Sequence, residues 1–271
     1  MKFWKYHGCG NDFILIHKSD LNHHSPPLLA KRICHRHTGI GADGLIIVQT
    51  KPLKMLFYNQ DGSEGTMCGN GIRCFARHCY EEKLTNSTRF EVQTLSGSRV
   101  IEIISLSPLL IRVDMGIPYF DEEHLQLTIK KYPYLNQKMT IHKQEIILNC
   151  VFIGTHHTVI WTDCLEAITS TEIGKLLCHA PLFTNQSNID FVQVIDSNTF
   201  VMKTYERGVG YTNACGTGAC AAYIIGKLQG KCCESVDVYF EEGNLHIYQE
   251  QDHIILEGSA QMIASGIYRE V

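Results

Sequence analysis

The chain has 271 residues, 44% of them hydrophobic and 19% charged, with a formal net charge of −4, a balance that supports one large or two medium globular domains with ample core. Mild acidity without a long basic run argues against a nucleic-acid or membrane-surface binder. The apolar run Phe13 to Ile16 is too short for a signal peptide and no run approaches a membrane span, so a cytoplasmic protein with mostly reduced cysteines is expected.

Phe3 to Tyr6, the turn His7 to Asp12 and the run Phe13 to Ile16 read as a hairpin with a polar loop. Ser25-Pro26-Pro27 starts a helix that Leu28, Leu29, Arg32, Ile33 and Arg36 continue at helical spacing and Gly39 ends. Leu45 to Val48 predicts a buried strand. Met55 to Tyr58 predicts another, which leads into the stretch Tyr58 to Gly71 and then an apolar, helical segment from Ile72 to Tyr80. Phe90 to Thr94, Arg99 to Ser105 and Leu110 to Val113 alternate or are β-branched, and Gly and Ser separate them, as in antiparallel strands. Gly116-Ile117-Pro118 marks a domain junction, and the polar stretch Asp121 to Lys143 carries little signal.

The second half then repeats the first. Gly10-Asn11 followed by Phe13-Ile14 corresponds to Gly154-Thr155 followed by Val159-Ile160, and Ile33-Cys34-His35 corresponds to Leu177-Cys178-His179. Phe191 to Val194 and Phe200 to Tyr205 are strands leading to a second copy of the Tyr58 stretch, Tyr205 to Gly218. In each copy a Tyr stands ten residues before a Cys, and Cys68 and Cys215 each open Cys-Gly-Xaa-Gly. An apolar helix from Ala219 to Leu228 follows, and Val236 to Phe240, Leu245 to Tyr248 and Ile254 to Leu256 echo the earlier strands. The shared order and near-constant offset imply a duplication. The expected fold is α/β of the α+β type: two pseudo-symmetric lobes, residues 1–116 and 117–259, of mixed, largely antiparallel strands around central helices, with the active site in the cleft between them.

Each cysteine of the repeated stretch stands at a loop-to-helix junction whose glycines admit a close approach to the backbone. A helix N-terminus lowers a thiol's pKa and offers free N–H groups to an anion, so two activated thiols facing one bound anion are expected. A thiolate on one side of a carbon and a thiol on the other can remove a proton from one face and return one to the other, which inverts the centre. The helix N-termini would hold the α-carboxylate as charge develops on it. The ordinary role of the other cysteines is that of a small buried hydrophobe, which suits Cys34, Cys150, Cys164 and Cys178.

Gly10-Asn11-Asp12-Phe13, the run Gly39 to Gly44, Asn59 through Arg73, Val113 to Gly116, Glu206 to Gly210 and Ala214 to Cys220 together resemble the diaminopimelate epimerases, with Met67 to Cys74 the most specific stretch. The resemblance covers most of the chain and is weakest between about 118 and 150. It implies a cofactor-independent enzyme that interconverts LL- and meso-diaminopimelate for lysine and cell-wall synthesis, with no metal. Cys68 and Cys215 would be the catalytic pair. Gly69, Asn70, Gly216 and Thr217 would cradle the reacting carboxylate, and Asn11, Asn59, Asn188, Glu206 and Arg207 would hold the amino groups and distal carboxylate, with His157 beside the site. Arg207 can grip a carboxylate bidentately and Glu206 can pair with an ammonium; otherwise these two form a surface pair and the asparagines serve turns. By the same analogy a strand at 260–271 crosses back to complete the first lobe. The partner is a small amino acid charged at both ends, and a homodimer is the commonest assembly of such enzymes.

Two departures from the family stand out. Gly154-Thr155-His156-His157 replaces the usual Gly-Asn-Pro-His, so one hydrogen bond to substrate is lost, replaced by the Thr155 hydroxyl or mediated by water, and Tyr211 stands where a Glu is common. Neither touches the thiols, but selectivity is expected to loosen, with racemisation of glutamate or aspartate as the alternative function. Gly39 to Gly44 fits the dinucleotide pattern G-x-G-x-x-G but follows a helix and precedes a strand, the reverse of a pyrophosphate turn. A metal or redox protein is the competing class, with Cys34-His35-Arg36-His37 and Cys232-Cys233 as its candidates, although CxxC and zinc-finger spacings are lacking.

Overall fold

The alternating residues of β1 (Lys2–Gly8) put every second side chain inside, whereas β2 (Asn11–His17), apolar from Phe13 to Ile16, is buried on both faces up to Ile16. The two form the expected antiparallel hairpin. The structure, a computed structural model, describes residues 1–141 and 144–269. His142, Lys143, Glu270 and Val271 lie outside the described residues, and with them the ends of the stretch Asp121 to Lys143 and of the strand expected at 260–271.

The chain continues through α1 (Pro26–Ile33), β3 (Gly44–Thr50), β4 (Leu53–Asn59), the short β5 (Glu64–Gly65), α2 (Gly69–Glu81), β6 (Arg89–Thr94), β7 (Gly97–Leu106) and β8 (Leu109–Gly116). It then runs through α3 (Glu122–Leu125), β9 (Gln137–Ile141), β10 (Gln144–Phe152), β11 (His156–Trp161), α4 (Leu165–Thr169), α5 (Ile173–Cys178), β12 (Asn188–Asp196), β13 (Thr199–Glu206), β14 (Gly210–Thr212), α6 (Gly216–Leu228), β15 (Ser235–Phe240), β16 (Gly243–Glu250), β17 (His253–Gly258) and β18 (Gln261–Ile267). Two compact units result: Met1–Asp114 with Glu257–Val271, and Met115–Leu256. The divisions fall inside β8 and β17.

In the first unit β2 pairs parallel with β3 across the α1 crossover, β3 antiparallel with β4, β4 antiparallel with β5 and parallel with β6, and β6 antiparallel with β7. β18 lies antiparallel on β1. The second unit repeats each pairing: β10 with β11 antiparallel, β11 with β12 parallel, β12 with β13 antiparallel, β13 with β14 antiparallel and with β15 parallel, and β15 with β16 antiparallel. β9 lies on β10 as β18 lies on β1. The registers agree as well. Phe13 faces Gly44 as His157 faces Asn188, and Ile46 faces Phe57 as Asp190 faces Thr204. The duplication read in the sequence is therefore a duplication of architecture, and the fold is mixed α/β with largely antiparallel strands.

Apolar residues of β2, α1 and β3 form the core of the first unit, with Leu29, Ile33, Leu45 and Ile47 fully buried. In the second, Leu148, Leu177, Ile189 and Phe191 play that part. Both central helices are largely buried. α6 is buried from Gly216 to Gly226, which its small and apolar residues permit, while α2 is buried from Gly69 to Ala76, with the guanidinium of Arg73 included, and becomes exposed only in its last turn. No helix among the described residues is long and apolar enough to cross a membrane.

Some local expectations need correcting. α1 stops at Ile33 because Arg36 turns instead to the carboxylates of Asp12 and Asp43, at 3.0 and 2.7 Å. Cys34, Cys150 and Cys178 are buried as small hydrophobes, but Cys164 is exposed, since it caps the short surface helix α4. The polar stretch before β10 is not featureless: α3 forms with Asp121 as its cap, accepting from the His124 N–H at 3.0 Å.

Candidate functional site

Cys68 and Cys215 are the N-caps of α2 and α6, both 13 residues long. Their backbones are extended, at φ −142°, ψ 114° and φ −126°, ψ 110°. In each helix the sulfur accepts the N–H three residues on, from Gly71 at 3.3 Å and from Gly218 at 3.4 Å. Sulfur thus takes the capping position that a Ser or Asp oxygen usually fills, where a thiolate would gain most from the helix N-terminus. Glycine at the third position is a matter of space: a Cβ on Gly71 would lie 3.3 Å from Cys68 Cβ, and one on Gly218 only 2.3 Å from Asp190 Oδ1.

In the first unit a chain of polar groups fixes the residues around Cys68. Arg73, fully buried, donates to Gly69 O at 2.8 Å, to Asn70 Oδ1 at 2.8 Å and to Ser259 O at 3.1 Å. Asn70 Nδ2 donates to Asn11 Oδ1 at 2.7 Å, and Asn11 Nδ2 to Asp43 Oδ2 at 3.1 Å. The side chains of Asn11 and Asn70 are therefore held by protein groups on both their oxygen and their nitrogen, and act first as braces for the start of α2. Asn59, at the end of β4, donates to Ser63 Oγ at 2.9 Å across the turn, which is the turn role weighed for it above. Asp12 is pinned by Lys5 at 2.9 Å and by Arg36; burial of its carboxyl opposes ionisation, but these cations outweigh burial and hold its pKa below the usual range.

In the second unit the candidates gather more tightly. His157, on β11, donates from Nδ1 to Asp190 Oδ2 on β12 at 2.7 Å, and Thr204 on β13 donates to Asp190 Oδ1 at 2.8 Å. All three are buried. Cys215 Sγ lies 3.4 Å from the Thr217 hydroxyl, and donor atoms of His157, Asp190 and Cys215 lie within 4.8 Å of one another. Glu206 ends β13 and accepts from Thr212 Oγ1 at 2.6 Å. The Arg207 N–H donates to Asn188 Oδ1 at 2.9 Å, and its exposed guanidinium reaches Asn185 O at 2.9 Å. Thr155 is half-buried in the turn before β11, where its carbonyl accepts from the Ile153 N–H at 3.0 Å.

The thiol of Cys215 is not activated by its helix end in the way the sequence suggests. Burial pushes its pKa well up, the charges of Glu206 and Asp190 add to that, and the Thr217 hydroxyl and Gly218 N–H offset only part of it. Cys215 therefore rests as the neutral thiol. Tyr211 packs on Tyr205 with ring centroids 5.2 Å apart and belongs to the second unit's core, so this departure from the family serves packing. Cys34 is buried under α1 while His35 and His37 are exposed, and Cys233 is exposed beside a half-buried Cys232. Neither group assembles a ligand cluster among the described residues.

Two residues escaped sequence reading as site residues. Asp190 is a lone carboxylate in the otherwise apolar strand Ile189 to Val192, and Arg73 is a lone cation on the inward side of α2. A charge on the buried face of a regular element was the available signal.

Comparisons with known proteins place the chain in a family. The diaminopimelate epimerase family model matches residues 3–120 and 149–263, leaving out the stretch where the resemblance is weakest. The diaminopimelate epimerase of Alkaliphilus metalliredigens is 37% identical over 277 residues, covering 99% of this chain and 97% of that one. That of Halothermothrix orenii is 38% identical over 276 residues, covering 98% and 97%. Among solved structures, a probable proline racemase from Agrobacterium radiobacter superposes with a TM-score of 0.73 at 9% identity, covering 99% of this chain and 92% of that one, a likeness of fold alone. With the family model spanning both repeated halves and relatives of this identity matching end to end, the chain belongs to the diaminopimelate epimerase family.

Proposed function

We infer that the chain is a diaminopimelate epimerase that inverts one α-carbon of LL-diaminopimelate to give the meso form. The observation that carries this is the pair of cysteine-capped helices, Cys68 on α2 and Cys215 on α6, each with a sulfur that accepts a helix N–H. In our reading one thiol comes from each unit. Cys215, resting neutral, gives a proton to the carbanion in one direction, and Cys68 as thiolate takes the proton from the opposite face. Gly69, Asn70, Gly216 and Thr217, in the first turns of the two helices, offer backbone N–H groups to the α-carboxylate. Arg207, Glu206, Asn188, Asn11 and Asn59 would meet the distal carboxylate and the ammonium groups.

Such a reaction moves only protons and calls for no cofactor. The substrate is a small amino acid charged at both ends, with no role for nucleic acid or membrane. We further propose a homodimer, to be checked by sedimentation, and a cytoplasmic setting, in keeping with twelve free thiols. Because Thr155 lacks the amide that the family's asparagine would offer, slow inversion of glutamate or aspartate is a second activity to measure.

A proton NMR time course in deuterated water tests the reading, with LL-diaminopimelate as substrate and wild type beside Cys68→Ala and Cys215→Ala. Loss of the α-proton signal with growth of the meso product is expected in wild type and in neither variant. No exchange and no inversion by folded, reduced wild type would refute it.

A further inference from the structure

We propose that Asp190 is a positioning residue for the second thiol: its carboxylate holds His157 with Nδ1–H directed at Oδ2, which turns the other ring nitrogen into the proton acceptor and donor for Cys215. The inference rests on the two-thiol reading above and goes beyond it, because it gives the two cysteines unequal equipment.

Four observations carry it. Asp190 is fully buried and both its oxygens are engaged, by His157 at 2.7 Å and Thr204 at 2.8 Å, which fixes the imidazole's orientation and tautomer. His157 Nε2 is buried and makes no hydrogen bond, a costly condition unless the atom is kept for a task. A ring nitrogen of His157, a carboxylate oxygen of Asp190 and Cys215 Sγ lie within 4.8 Å of one another. The His157–Asp190 pair is hydrogen-bonded, while 4.8 Å is longer than a hydrogen bond, so Nε2 and Cys215 must close on each other during the reaction.

The fourth observation comes from the duplication. The strand registers and the glycine contacts align His157 with Phe13, Asp190 with Ile46 and Thr204 with Phe57. Under Gly218 the nearest atom to an added Cβ is Asp190 Oδ1, and under Gly71 it is Ile46 Cδ1. Where the second unit has a hydrogen-bonded carboxylate, imidazole and hydroxyl, the first has three buried apolar side chains, with Phe13 and Phe57 edge to face at 5.9 Å. One scaffold position carries a proton relay in one copy and hydrocarbon in the other.

The step balances simply. The Sγ–H bond of Cys215 breaks, its electron pair stays on sulfur, and the proton joins Nε2; the imidazolium so formed is stabilised by a charge-assisted Nδ1–H···Oδ2 bond. The reverse step returns Cys215 to the thiol between turnovers. Charged and titratable groups around the relay are Asp190 on β12, Glu206 at the end of β13, Cys215 on α6 and, on β11 itself, His156, which Arg207 also faces. The same donors could be imagined around a cation. However, 2.7 Å between His157 Nδ1 and Asp190 Oδ2 is shorter than the separation of about 3.3 Å that tetrahedral ligands about 2.0 Å from zinc require.

The test compares wild type with Asp190→Asn and with Thr204→Val, which keeps the carboxylate but removes one of its hydrogen bonds. Turnover and KM are measured in both directions across pH, together with the pH dependence of alkylation of Cys215 and Cys68 in the native protein, read by mass spectrometry. In Asp190→Asn, kcat is expected to fall about 100-fold in both directions with KM little changed. The inflection in Cys215 alkylation should shift while that of Cys68 stays, and Thr204→Val should fall between. Wild-type alkylation and rate profiles in Asp190→Asn would overturn the inference. So would loss of turnover with an unchanged Cys215 profile, which would mark Asp190 as structural only, or activity that is lost to a chelator and restored by zinc. An active Cys215→Ala would instead sink the two-thiol reading itself, so the two failures are told apart.

Discussion

Replacing the third glycine of each cysteine-capped helix by alanine should have unequal consequences, although the two positions are equivalent in the repeat. In Gly71→Ala the nearest atom outside the capping residue is the Ile46 Cδ1 methyl at 3.1 Å, the end of a side chain that can turn aside. Alanine's helix propensity, worth up to about 1 kcal/mol, offsets the crowding, so stability should stay within about 1 kcal/mol of wild type. In Gly218→Ala the new Cβ falls 2.3 Å from Asp190 Oδ1 and 3.1 Å from its Cγ, on a carboxylate that cannot move without breaking its bonds to His157 and Thr204. Two hydrogen bonds to a buried charge at about 1.5–3 kcal/mol each, less about 1 kcal/mol of propensity, give a net loss of about 2–5 kcal/mol. Urea unfolding followed by fluorescence reads this locally, because the chain has two tryptophans: Trp4 in the first unit and Trp161 in the second. The Trp161 transition of Gly218→Ala should move to clearly lower urea while both transitions of Gly71→Ala hold. Equal shifts for the two variants would refute the close packing of Asp190 beneath α6.

Three further outcomes are expected. Arg73→Met strands the carbonyls of Gly69 and Ser259 and the Asn70 amide oxygen, and should cost on the order of 3 kcal/mol in thermal unfolding, with Arg73→Lys recovering only part. His78 is buried against His17, with Nε2 to Nε2 at 2.8 Å; burial chiefly, and then the neighbouring His17, depress its pKa from 6.5 to about 3. The unfolded chain therefore binds the proton that the folded chain refuses, so stability is full above pH 6.5 and falls as pH drops towards 3. The loss, at most about 5 kcal/mol, should be smaller in His78→Gln when urea midpoints are measured across that window. Thr155→Asn restores an amide donor and should raise the preference for diaminopimelate over glutamate by about tenfold in kcat/KM, measured by competition.

The repeat was legible because capping, spacing and strand alternation are local. Cysteine, two further glycines and an apolar run announce α2 and α6 wherever they occur, and β1 with β2 announce themselves as a hairpin. What the local signal misses is the outcome of burial. A thiol at a helix N-terminus reads as activated, yet at Cys215, only 5% exposed, loss of solvent and two nearby carboxylates prevail over the helix end. Arg36 reads as one more helical residue, and only the arrival of Asp12 from β2 and Asp43 from the loop before β3 shows why the helix stops short of it. Asn11 and Asn70 read as ligands for substrate, and only the fold shows that their side chains also brace each other. Thr155 and Tyr211 look equally anomalous in sequence, and it is the fold that separates a turn residue from a core aromatic.

A duplicated scaffold would by itself make the two thiols alike, and alike is what inversion cannot use. To remove a proton from one face and deliver one to the other, one group must begin charged and the other neutral. Matching helices with matching caps supply both sulfurs with the same N–H at 3.3 and 3.4 Å, so the difference has to come from what lies beneath the helices. There the copies diverge most in kind: Phe13, Ile46 and Phe57 on one side, His157, Asp190 and Thr204 on the other. Cys68 is half-exposed over hydrocarbon, and Cys215 is buried beside two carboxylates that disfavour its anion. On the proposed relay, the imidazole of His157 would carry the proton traffic that burial of Cys215 otherwise blocks, and Asp190 would govern turnover through it.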